Sequence, residues 1–111
     1  MKTVHPVTDQ LEPEELDPAQ IVSGDPKTFV LVLAESEGGA EEAGLWRCTP
    51  GVVTDTEVRE ESLIMTGKAT IEFEDGQMIT VGPGDVLTFQ GGENTVWTVE
   101  ETLLKAYWIK E

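Results

Sequence analysis

The sequence predicts an all-β fold of seven to nine short strands in one closed or sandwiched sheet. Three observations carry that expectation. Ala69, Ile71 and Phe73 alternate with Lys68, Thr70 and Glu72, the period of a half-buried strand. The breaks on either side are turn chemistry. Glu74-Asp75-Gly76 supplies an Asp-Gly hairpin turn, and Gly82-Pro83-Gly84-Asp85 sets a proline without an amide hydrogen between two glycines. Finally, no stretch sustains a helical period, and there is no internal repeat or low-complexity tract. At 111 residues the chain has the size of one domain with one core.

Residues 1–28 read as an acidic amino-terminal arm or edge segment. Pro6, Pro13 and the acids Glu12, Glu14, Glu15 and Asp17 leave it too little apolar surface to fold alone. Within it, Asp17 as cap and Pro18 at the first helical position predict one helical turn before Gly24-Asp25-Pro26 redirects the chain. Residues 29–111 form the β domain. The branched apolar run 29–34 reads as a strand covered on both faces, by the domain itself or by a second subunit. A Gly- and acid-rich loop, 36–42, precedes a strand with Trp46 and Cys48 on one face, which Pro50-Gly51 turns. The strand after it carries Asp55, Glu57 and Arg59 on one face, either a polar cavity floor or the wet side of an edge strand.

Residues 61–66 form a short apolar run that Gly67 ends. The hairpin 69–81 and a strand at 86–89 follow, then a loop at Gly91, Gly92, Glu93 and Asn94. Thr95, Trp97 and Val99 share one strand face; Glu100-Glu101 is read as a turn. In the last strand Leu103, Lys105, Tyr107 and Ile109 share one face, and Leu104, Ala106 and Trp108 the other. Neither face is wholly polar, so both are expected to be covered.

Seven basic against 22 acidic side chains leave a formal net charge of -15, a field that repels phosphate backbones and anionic lipid. Nucleic acid and membrane are therefore excluded as partners, and the acidity reads as a solvated surface. One cysteine, Cys48, permits no internal disulfide, and on a strand it reads as a small hydrophobe rather than a nucleophile. The amino terminus has neither the basic start nor the apolar run of a secretory signal, and no apolar stretch approaches the roughly 20 residues of a membrane span. The expected location is cytoplasmic.

Glu60, Gly67, Asp75-Gly76 and Gly82-Pro83-Gly84-Asp85, in that order and spacing, resemble the two adjacent motifs of the cupin superfamily, small jelly-roll β-barrels. Trp46-Arg47-Cys48-Thr49-Pro50-Gly51 before them and Trp97, Lys105 and Tyr107 after them resemble the small single-domain cupins related to ureidoglycine aminohydrolase and the ethanolamine-utilisation cupin. The resemblance covers roughly residues 29–109. It implies a cupin-type jelly-roll barrel and a homodimer, for which the 29–34 run and Trp108 offer apolar surface.

The resemblance also implies a metal site of three histidines and a glutamate, and the sequence departs from it. The histidine places fall on Val53, Asp55 and Leu87, and only Glu60 survives; the one histidine, His5, lies in the arm. No bound cofactor is expected, beyond a weak divalent ion at Glu60. By the same resemblance Glu60, Lys105 and Tyr107 converge in one cavity, either as catalytic or binding groups or as a buried ion pair capped by a tyrosine hydroxyl. Trp46, Asp55 and Trp97 are candidate ligand-binding residues, the indoles as walls for a planar or amine group or simply as core.

Three functions follow. The first is a metal-free cupin that binds a small polar metabolite. The second is an enzyme of the aminohydrolase-related kind with Glu60 as general base or metal ligand, and the third is a structural or regulatory dimer with no ligand.

Overall fold

The computed structural model describes residues 9–110. Nine strands make one curled antiparallel sheet: β1 (Glu12–Glu14), β2 (Ile21–Gly24), β3 (Thr28–Glu35), β4 (Glu42–Cys48), β5 (Gly51–Thr56), β6 (Glu60–Phe73), β7 (Met78–Val81), β8 (Val86–Phe89) and β9 (Asn94–Ile109). The only helical element among the described residues is a 3-10 turn, Pro18–Gln20, capped as its sequence predicts: the Asp17 carboxylate accepts the Ala19 amide at 3.0 Å. No described helix is long and apolar enough to cross a membrane.

Strand β9 is the axis of the sheet. One of its edges takes β5 along the first half and β4 along the second, while the other edge takes β6 over nearly its whole length. The far edge of β6 is divided in the same way between β8 and β7. Strand β3 extends the sheet beyond β4, and the two short strands of the amino-terminal segment close its margins, β1 on β3 and β2 on β5. The jelly-roll expectation of the sequence holds.

The turns form as their residues require. Gly76, with φ +87°, completes the 74–77 loop, and the Asp85 carboxylate accepts the Gly82 amide at 2.8 Å. Two expected breaks are different in kind. Gly67 does not end a strand and Glu100-Glu101 does not make a turn; both lie inside continuous strands of 14 and 16 residues. Register shifts between Ile64 and Ala69 make a bulge here, so β6 and β9 bend while they stay paired. Gly67 has φ +92°, and a Cβ there would lie 2.3 Å from the Thr102 carbonyl oxygen, so the bend needs a glycine for conformation and for space. A bulge and a turn use the same local residues, and only the long-range pairing tells them apart.

The core sits at this bend. Ile64, Ala69, Ile71, Val81, Phe89, Val99 and Leu103 are buried together. The cover that the sequence expects on both faces, from the domain or from a second subunit, is not supplied by the single chain. Val32, Leu33 and Trp108 are exposed within the single chain, because their side chains stand on the outer face of the curled sheet.

Candidate functional site

Away from the bend the inward-facing residues become polar. Along β6 they read Ile64, Ser62, Glu60, and along β9 Leu103, Lys105, Tyr107. These ends of the strands frame a cavity of about 420 Å3, within the range that small-molecule sites occupy. Glu14, Glu15, Leu16 and Gln20 from the amino-terminal segment complete its wall.

Lys105 and Glu60 meet in this cavity, Nζ to Oε2 at 2.7 Å, with both side chains about nine-tenths buried. The ammonium also lies 5.1 Å from the Trp46 ring centroid and 5.2 Å from that of Trp97, between two indoles set edge to face. A buried charge is costly unless paired, and here the carboxylate and the two rings together replace its water. Trp46 and Trp97 therefore belong to the cavity wall, and Trp97, 2% exposed, belongs to the core as well.

Tyr107 lines the same cavity without capping the ion pair. Its hydroxyl donates to Glu42 Oε2 at 2.6 Å, and Gly44 opposite makes room for it: a Cβ at Gly44 would lie 2.7 Å from that oxygen. Burial, then the hydrogen bond to Glu42, push the phenol well above its ordinary range.

Asp55 lines the cavity as expected, and Glu57 beside it proves the more buried of the two carboxyls. Glu57 is 6% exposed and accepts two neutral donors on one oxygen: the Thr95 hydroxyl at 2.9 Å and the Trp97 indole N–H at 3.3 Å, both on Oε2. Burial, reinforced by the Asp55 carboxylate, pushes its pKa up to about 7 against the opposing pull of Lys105 and Thr95. The sequence had Asp55, Glu57 and Arg59 on a polar face, but nothing in strand periodicity separates the buried Glu57 from its neighbours. Thr95 and Trp97, in register with Asp55 and Val53, come within reach of Glu57 only through the pairing of β5 with β9.

The residues do not fit the metal site of the wider superfamily. Val53 and Leu87, on two of the histidine positions, are buried hydrocarbon, and the Glu60 carboxylate is already bonded to Lys105. Among the described residues no three His, Cys, Asp or Glu side chains gather to hold an ion. His5 lies outside the described residues. Cys48 is fully buried, and burial raises its thiol to about 11, which keeps it unreactive.

Solved structures share this architecture. A protein of unknown function of the DUF861 family from Pseudomonas syringae pv. tomato superposes with a TM-score of 0.81 at 24% identity, over 90% of this chain and 44% of that one. This chain thus spans less than half the length of that relative. EutQ of Clostridium difficile gives 0.67 at 12% identity, over 87% of this chain and 80% of that one. A cupin superfamily protein of Desulfitobacterium hafniense gives 0.63 at 20% identity, over 75% and 76%. No curated protein matches the sequence. These likenesses establish the cupin fold; the family follows from the sequence itself, where residues 35–107 match the EutQ-like cupin domain, and the chain belongs to that family.

Proposed function

We propose that this cupin binds a small polar metabolite in the cavity around Glu60, Lys105 and Tyr107, and does so without a metal. One observation carries the reading. A buried ammonium, held by Glu60 and two indoles, occupies the part of the barrel where the superfamily's metal ligands converge, and the space beside it is open and polar. Thermal unfolding of the protein and its Glu60→Gln variant against a panel of small amines, ureides, sugars and carboxylates tests it. A ligand of the native state raises the midpoint by mass action. The reading expects at least one compound to do so in the wild type and to lose its effect in the variant. If only divalent ions raise the midpoint, or nothing does, the reading fails.

A second reading, an enzyme of the ureidoglycine aminohydrolase-related kind, draws on Glu57 rather than on Glu60. Glu60 is committed to Lys105, whereas a carboxyl with a pKa near 7 in a cavity suits proton transfer. Turnover of ureides that Glu57→Gln abolishes would support it, and binding without turnover would sink it.

The apolar outer face supports a homodimer. Leu63 lies in register with Val86 on one side and Ala106 on the other, with Met65 and Trp108 beside them, all with apolar surface exposed in the single chain. Light scattering at micromolar concentration is expected to give twice the chain mass, and a monomer there would contradict the proposal.

A further inference from the structure

The charges in the cavity do not balance. Among the described residues six carboxyl side chains line it, Glu14, Glu15, Glu42, Asp55, Glu57 and Glu60, against one cationic side chain, Lys105. That lysine is taken: its nitrogen bonds Glu60 at 2.7 Å. Tyr107 donates to Glu42. Glu57 takes the hydroxyl of Thr95 and the indole N–H of Trp97 on Oε2, and it hydrogen-bonds the carboxyl of Asp55 beside it. A carboxyl this deeply buried is normally matched by a cation or kept neutral. Glu57 thus stands in an open cavity beside a second carboxyl, Asp55, while Lys105, the cation that acts on it, is bonded to Glu60. An anionic ligand would add a further negative charge to this wall. A cationic one completes it.

From this we infer that the cavity selects a small organic cation, a protonated amine or amidine, whose positive group seats against Glu57 and Asp55 with its apolar part along the indole of Trp46. The inference rests on the binding reading above and narrows its ligand class. It also sets a proton balance. Free Glu57 holds its proton through much of the neutral range, and a cation seated on it favours the carboxylate, so binding expels that proton. The other titratable groups around the cavity come from every side: Asp55 from β5, Glu60 from β6, Lys105 and Tyr107 from β9, Glu42 from β4, and Glu14 and Glu15 at β1 and just after it.

The test uses three probes of one shape: butylamine, 1-butanol and butyrate at equal millimolar concentration and equal ionic strength. Titration calorimetry and the unfolding midpoint are read for the wild type, Glu57→Gln and Asp55→Asn. The amine alone is expected to bind, with an association constant that rises by up to about tenfold per pH unit from about pH 6 to pH 7 and levels off above. Glu57→Gln is expected to weaken it by about tenfold or more and to remove the pH dependence. Asp55 is exposed at the cavity rim, so Asp55→Asn should fold normally and weaken the amine by a smaller factor. Binding of butyrate, or of butanol as tightly as the amine, overturns the inference while the binding reading stands. If none of the three binds but a neutral or anionic compound of the wider panel does, the cation claim again falls alone; if nothing binds, both fall.

Discussion

Two strands, β6 and β9, run through both ends of the barrel interior, and the two ends behave in opposite ways. At the bend, β6 and β9 contribute Ile64, Ile71, Val99 and Leu103 to a sealed hydrocarbon core. A few residues further along the same strands, Glu60, Lys105 and Tyr107 line an open, charged cavity. Strand alternation puts both sets on the inward face, so inwardness alone does not decide what a residue does. The contrast teaches that the bend supplies the stability that lets the far end carry buried charge, which costs stability.

The largest expected effect is at the charged end. Lys105→Met leaves Glu60 buried without its partner and should cost about 3–5 kcal/mol in denaturant unfolding. The double variant Lys105→Met/Glu60→Gln should recover a large part of that loss. If the single variant costs less than about 1 kcal/mol, the pair is solvated and the cavity is not what separates the two ends.

At the bend, Gly67→Ala forces a Cβ into the Thr102 carbonyl at positive φ and should cost about 3 kcal/mol. An unchanged midpoint would mean that the bulge is not fixed.

Glu57→Gln sharpens the contrast, because its sign depends on pH. The folded pKa of Glu57, about 7, lies above the ordinary glutamate value of 4.5. Its contribution to stability is therefore fully present below about 4.5, where it is neutral in both states, and is lost as pH rises through about 7. Above pH 7 the variant should be more stable than the wild type by up to about 3 kcal/mol, and the difference should vanish near pH 4. A pH-independent difference would contradict this origin.

The smallest effects come next. Ile71→Val removes one methylene from the sealed end and should cost about 1 kcal/mol. Breaking the half-exposed Lys110–Glu61 pair should change stability by no more than about 0.5 kcal/mol.

Much of this was legible in the sequence, where local chemistry and global fold agree. Asp75-Gly76 and Gly82-Pro83-Gly84-Asp85 make turns by their own conformational preferences, and alternation correctly put Lys105 and Tyr107 on one strand face, which the resemblance turned toward the cavity. The errors have a common physical cause. Gly67 and Glu100-Glu101 carry turn residues, but the pairing of β6 with β9 holds both strands continuous across them. Of the two readings of Glu60, Lys105 and Tyr107, the one with the tyrosine hydroxyl capping the ion pair does not form, because register brings that hydroxyl to Glu42. Glu57 was seen only as one of three polar residues on a face. Its state depends on Thr95 and Trp97, 38 and 40 positions away, and on a lysine already bonded elsewhere.

The most direct test of the charged end is the carboxyl 13C titration of Glu57 in the native protein, assigned by its loss in Glu57→Gln. The account predicts a midpoint at about 7. A midpoint near 4.5, the value of a free glutamate side chain, would show a solvated carboxyl and contradict the account of this cavity.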